Sequence, residues 1–234
     1  MNSRKIRGIT KEAMLEYKWR NAEIIFFEGQ LKRFARNAQG YLDRDKYRKS
    51  LVLVLYSHFE GYCKFMFQLY VDSINNERIK CKVATHQIVA ATLDLEFKDL
   101  INPKKKGRVF PKTLTMEDAL HPFARRADFL EEIGNFMEKT VTIPDKLIDM
   151  ESNLKPLVIR KNLYKLGLSH ELFETVEGEI TQLLSMRNGI AHGNFLQGVE
   201  ANRYKNVRSA CFNIMNALRV NIIQSLKNKE FIKV

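Results

Sequence analysis

Three cysteines in 234 residues, Cys63, Cys81 and Cys211, are too few and too far apart for a disulfide framework or a paired-thiolate metal site. They read as small buried hydrophobes of a reducing compartment. Glycine-rich phosphate loops of the Walker or dinucleotide type are missing, which removes visible support for nucleotide-driven chemistry. His58, His86, His121 and His170 have no ligand spacing to cysteines or carboxylates, so neither a metal nor any other cofactor is implied. Alternation of apolar and polar residues is confined to short pieces such as Lys82 to Val89, which argues against a sheet-based enzyme fold. The opening run MNSRKIRGITKEAMLEY holds no continuous apolar stretch of signal-peptide length, so a cytoplasmic location is expected. The most apolar stretch, Leu51 to Val71, includes His58, Glu60, Lys64 and Gln68. At about 2.5–3.5 kcal/mol per charge near a bilayer centre, this is a buried core helix and not a membrane span.

A composition of 45% hydrophobic and 28% charged residues is enough to bury a core, and residues 1–234 are expected to form one unit. All five prolines (Pro103, Pro111, Pro122, Pro144, Pro156) fall in one central stretch, flanked by two long proline-free arms rich in helix formers. The first arm predicts a helix from about Lys11 to Ala38, a turn around Gly40, and a second helix from about Asp45 to Asn75. In the other arm Phe173, Val176, Ile180, Leu183, Leu184 and Ala191 recur at helical spacing, as do Tyr204, Val207, Cys211, Ile214, Leu218 and Ile222. The expectation is an all-α, up-and-down bundle of four long core helices (about 11–75 and 153–228). Between them lies an irregular elaboration, about 76–156, with one shorter helix from about Phe123 to Lys139.

The net charge of +12 is uneven: residues 1–50 carry 13 basic and 6 acidic side chains, residues 101–112 carry 5 and none, and residues 201–234 carry 7 and 1. A polyanionic partner follows naturally, because neutralising phosphates with Lys and Arg releases counterions. The cluster Lys104, Lys105, Lys106 and Arg108, followed by Phe110, is a candidate RNA-binding loop with an aromatic on which a base could stack; a mobile solvated loop is the plain alternative.

The third long helix ends in Leu184-Ser-Met-Arg187-Asn188-Gly189-Ile190-Ala191-His192-Gly193-Asn194-Phe195. Arg187 continues the apolar stripe of Ile180 and Leu184, so its guanidinium is aimed at helix partners and needs an anion or a wet cleft. Gly189 is expected to loosen the final turn and Gly193 to cap it, so that the imidazole of His192 can swing toward the same cleft. On the second helix Ser57, Glu60, Gly61, Lys64 and Gln68 form a polar stripe. If that stripe faces Arg187, Glu60 could pair with the guanidinium or position His192; otherwise it is a solvated face.

Arg187, a polar Asn188 and His192 at the junction of two long amphipathic helices resemble the signature of the HEPN superfamily, an Arg followed after four to six residues by a His. The likeness extends to Tyr56-Ser57-His58-Phe59-Glu60-Gly61-Tyr62 and to Asn153-Leu154 through Leu166-Gly167-Leu168, which look like segments of a bacterial branch of HEPN ribonucleases. It covers about Lys11 to Asn75 and Asn153 to Leu226. What the resemblance implies is a metal-independent endoribonuclease, a toxin or antiviral defence effector, with a composite site between the two copies of a homodimer. His192 would serve as general base or acid, Arg187 would hold the scissile phosphate, and Asn188 would orient the phosphate or the imidazole. The products would carry 2′,3′-cyclic phosphate and 5′-hydroxyl ends.

Two other readings stay open: a non-catalytic HEPN module that binds RNA, a nucleotide or a partner HEPN subunit, and a purely structural helical protein. The last leaves Arg187 on the apolar stripe unexplained. Some HEPN toxins carry a Tyr two residues after the His, where an antitoxin modifies them. Here that position is Asn194, so an antitoxin or regulatory partner, if present, would act in another way.

Overall fold

The chain is described by a computed structural model covering residues 1–108, 120–151, 153–170 and 176–233. Phe110 and Phe173 lie outside the described residues. Eight α-helices are seen in this part: α1 (Ser3–Gly29), α2 (Ala38–Asn75), α3 (His86–Thr92), α4 (Asp94–Ile101), α5 (Leu120–Glu138), α6 (Pro156–Lys165), α7 (Glu177–Ala191) and α8 (Ala201–Asn228). The fold is all-α, with only two isolated β-bridges among the described residues, Lys80 with Thr140 and Ala84 with Ile232.

α2 is the axis of the molecule. It packs most extensively on α8 and also on α1 and α7, so apolar residues are needed on most of its faces: Leu51, Leu55, Phe59, Tyr62, Met66, Tyr70 and Ile74 are all nearly inaccessible. The apolar run that is long enough for a bilayer is therefore sheathed by protein, and among the described residues no helix is long and apolar enough to cross a membrane. Cys63, Cys81 and Cys211 are free and buried; burial pushes the Cys63 and Cys211 thiols well up, leaving them as inert packing groups.

Two boundaries differ from expectation. α1 starts at Ser3, capped by Asn2, whose side-chain oxygen accepts from the Lys5 N–H (2.9 Å), and it ends at Gly29 in a 3-10 turn, Gln30–Arg33. The chain reverses at residues 34–37, not at Gly40. Asn37 caps α2 by accepting from the Gly40 N–H (2.8 Å), and Gly40 is needed inside the first helical turn because a Cβ there would lie 2.0 Å from the Ala35 carbonyl oxygen. The central elaboration is also more regular than expected. α3, α4 and α6 were not legible as helices, being 7, 8 and 10 residues long, too short to show a periodic stripe. Pro156 opens α6 at its first turn, where the missing N–H costs nothing. Asn75 at the end of α2 pins this region through both side-chain groups, donating to the Ile143 carbonyl (3.0 Å) and accepting from its N–H (2.8 Å).

α1 and α2 are joined by a polar cluster around one buried imidazole. His58, 7% exposed, has Nε2 3.1 Å from Glu23 and Nδ1 3.5 Å from an Arg20 nitrogen. Arg20 in turn grips Glu16 (2.6 Å) and lies over the ring of Trp19, the one tryptophan of the chain. An Arg donor facing Nδ1 fixes the neutral tautomer with Nε2–H on Glu23. Burial lowers the His58 pKa from its ordinary 6.5, Glu23 opposing and Arg20 reinforcing the shift. An unfolded chain then takes up a proton that the folded chain refuses, so stability is whole above about pH 6.5 and is lost as pH falls toward the depressed folded pKa. Melting temperatures at pH 7.5 and 5.5 are expected to fall more for wild type than for His58→Gln, with Trp19 emission, 5.3 Å away ring to ring, following the same titration. An equal acid loss in both proteins would remove His58 as its source.

Candidate functional site

α7 carries Ile180, Leu183, Leu184 and Met186 into the core, and the same stripe sets Arg187 against α2. Its guanidinium lies over the Tyr56 ring, 5.0 Å from the centroid. One terminal nitrogen, Nη1, donates to the Asn153 side-chain oxygen (3.1 Å) and to that of Asn188 (2.9 Å). Nε and Nη2 have no hydrogen-bond acceptor among the described residues. The guanidinium is thus held by two amides and a ring, all uncharged, with donors left over for an anion.

Tyr56 is the base of this arrangement. Its hydroxyl oxygen accepts from the Leu154 N–H (2.8 Å), which fixes the segment that presents Asn153. Burial raises the phenol pKa, the Leu154 bond and the Arg187 charge pull it down, and the neighbouring Glu60 carboxylate raises it again. Glu60 therefore sits beside the Tyr56 hydroxyl, one helical turn along α2, and forms no ion pair with Arg187 among the described residues. Tyr56→Phe keeps the ring under Arg187 but leaves the buried Leu154 N–H without an acceptor. A loss of about 1–3 kcal/mol is expected in urea unfolding; an unchanged midpoint would show that Leu154 finds another partner.

His192 is the residue on which α7 ends. Its N–H donates to the Asn188 carbonyl (3.0 Å), and Gly193 follows in the left-handed conformation, φ 73°. The Asn194 N–H returns to the Gly189 carbonyl (2.8 Å), closing a Schellman-type cap. Gly193 plays the expected capping role. Gly189 does not loosen the turn: the helix is regular through Ala191, and Gly189 instead makes room for Phe195, whose Cδ2 would lie 3.3 Å from a Cβ there. Phe195 is fastened from the other side by Lys49, which donates to its carbonyl (2.5 Å), and by Arg203, whose guanidinium lies 5.8 Å from the ring centroid. His192 is exposed on this closed cap. Five residues at about 100° each turn it about 140° round α7 from Arg187, and the imidazole makes no contact with the guanidinium.

The structure brings together Arg187, Asn188 and, through Tyr56, Glu60, with His192 at the adjoining helix end. It does not bring Lys104, Lys105, Lys106 or Arg108 to them. Arg108 is bound by Asp128, Glu131 (3.0 Å) and Glu132 (3.1 Å) of α5, and Lys105 pairs with Asp99 of α4, while Lys104 and Lys106 stay exposed. The sequence alone assigns no role to Asn153 or Tyr56. Both lie in segments that carry the HEPN likeness, and that is the signal by which they could have been found.

A family model described as MAE_28990-like HEPN matches residues 10–231. No curated protein and no solved structure matches the chain.

Proposed function

The chain belongs to the MAE_28990-like HEPN family, and from that membership we propose that it is a metal-independent endoribonuclease. Its reacting groups are Arg187 and His192, with Asn188 holding the guanidinium and Glu60 supporting Tyr56 beneath it. The observation that carries this reading is a guanidinium anchored through one nitrogen with its other donors free, followed at the end of the same helix by an exposed imidazole on a closed cap.

The chemistry follows from those two groups. An RNA 2′-hydroxyl attacks the adjacent phosphorus; its proton goes to a base, the bond to the 5′-oxygen breaks, and that oxygen takes a proton from an acid. The products are a 2′,3′-cyclic phosphate and a 5′-hydroxyl. An imidazole can serve at either step, as acceptor or donor of a proton. A guanidinium bound to two non-bridging oxygens stabilises the charge that builds on the phosphorane-like transition state. One copy supplies a phosphate clamp and a single proton-transferring imidazole, whereas the reaction needs both a base and an acid. A homodimer that sets two His192 side chains across one phosphate supplies both. A role as a cytoplasmic toxin or antiviral effector, held in check by an antitoxin or regulatory partner, is consistent with family membership and with this chemistry.

The test is incubation of the purified protein with total RNA in excess EDTA, with fragment ends mapped. Cleavage leaving cyclic phosphate ends is the expected result; intact RNA under these conditions would turn the reading to a module that binds RNA, a nucleotide or a second HEPN subunit without cutting.

A further inference from the structure

Four helix ends meet at one end of the bundle: the close of α1, the start of α2, the start of α8, and the close of α7 with His192. Tyr204 and Arg208 of α8 both bond Glu28 of α1 (2.8 and 2.6 Å), and Arg44 of α2 donates to the carbonyls of Leu31 and Phe34 in the turn after α1 (3.3 and 2.9 Å). The loop after His192 is drawn onto α2 by the Val199 N–H on the Asp45 carbonyl (2.8 Å) and by Lys49 on Phe195.

This end is strongly basic. Residues 28–49 carry seven basic and three acidic side chains, and residues 191–208 carry three and one, so half of the net charge of +12 is gathered here. The acids are mostly engaged: Glu28 by Arg208, Asp45 by Arg48, and Asp43 by Gln39 with Lys46 at 3.7 Å. Lys32, Arg33, Arg36, Lys49, Arg203 and Lys205 have no carboxylate partner among the described residues, and Lys32, Arg33, Arg36 and Lys205 are exposed. Among them stands the ring of Tyr41, 61% exposed and backed by the Arg44 guanidinium at 5.1 Å. The loop at residues 104–108 differs in kind, because α4 and α5 neutralise Lys105 and Arg108 internally.

We propose that this basic end of the bundle holds single-stranded RNA, with phosphates on Lys32, Arg33, Arg36 and Arg203 and one unpaired base on Tyr41, and leads the strand to His192. Cations without a carboxylate partner release counterions when they meet phosphate, whereas cations already paired gain little. An exposed ring on a guanidinium offers a face for any base, so the surface binds without sequence preference. The choice of RNA over another polyanion rests on the ribonuclease reading; the location of the surface does not.

The test uses wild-type protein and a fluorescent 2′-O-methyl RNA oligomer, which has no free 2′-hydroxyl to attack, with anisotropy measured across a salt series. Lys32→Gln, Arg33→Gln and Arg36→Gln together are expected to weaken binding about ten-fold or more at roughly 0.1 M salt and to flatten the log–log slope by about 2, at ~0.7 per lost phosphate contact. Lys104→Gln with Lys106→Gln is expected to change the slope by less than half of that. These side chains make no bonds to the fold, and circular dichroism melts of both variants should match wild type. A wild-type slope in the triple variant, an equal loss in the Lys104 and Lys106 variant, or binding of anionic vesicles with none of RNA would each overturn the assignment. Because the oligomer is not cut, loss of binding in the triple variant upholds the surface even if no RNA is cleaved, and a normal slope refutes it even if natural RNA is cleaved.

Discussion

His192→Ala is expected to lower cleavage of total RNA by about 10²–10⁴-fold, the range for removing a positioned proton-transferring group. Binding of the uncleavable oligomer should stay within about two-fold of wild type, since a single imidazole contributes little to the counterion term. The folded state should be unaffected: the side chain is exposed, and the cap it sits on is closed by backbone bonds of Asn188, Gly189 and Ile190 and by Phe195, none of which involves the imidazole. If two copies share the site, equal mixing of wild type and His192→Ala under exchange should give less activity than dilution alone predicts, because heterodimers hold one imidazole where two are needed. Turnover near wild type in the variant would remove His192 from the mechanism, and activity strictly proportional to the wild-type fraction would remove the composite site.

The four core helices are legible in the sequence because their apolar stripes run for many turns, and a stripe such as Val207, Cys211, Ile214, Leu218 and Ile222 lines up on one face only if the backbone is helical. Sequence is less informative where a single contact sets the boundary. The reversal at residues 34–37 depends on Asn37 capping and on the Ala35 carbonyl approaching Gly40, and Gly40 advertises a turn in a sequence while serving a helix in the fold. The site divides along the same line. Arg187 is readable as a guanidinium on an apolar stripe, and Asn188 and His192 come with it. Tyr56 and Asn153 are not, because residues so far before the arginine in the chain become its cradle only when α2, α7 and the segment before α6 pack. Charge clustered in the chain is not all free in the fold, for a related reason. Five basic residues in twelve, at 101–112, stand out in the chain, yet acids of α4 and α5 fold back onto two of them, while the basic end of the bundle assembles from two separate segments.

Arg187→Ala should cost about 10²–10³-fold in cleavage, comparable to losing one donor set aimed at developing charge. Arg187→Lys is the sharper experiment. An ammonium keeps the positive charge and most of the stem, so an effect of bulk electrostatics alone would leave the rate nearly intact. The geometry argues otherwise: Nη1 is committed to Asn153 and Asn188, and it is the planar spread of the guanidinium that lets Nε and Nη2 face a phosphate at the same time. A lysine reaching the two amides has no second nitrogen to offer, and a lysine reaching the phosphate abandons the amides and the Tyr56 face. Arg187→Lys is therefore expected to retain no more than about a tenth of wild-type activity, with the loss in kcat more than in KM, since the fork acts on charge that appears in the transition state. Melting temperature should fall further for Arg187→Ala than for Arg187→Lys, because the aliphatic stem of this half-buried side chain survives only in the latter. A lysine variant cleaving at the wild-type rate would show that charge suffices there, and the assignment of Arg187 as a bidentate phosphate clamp would fall.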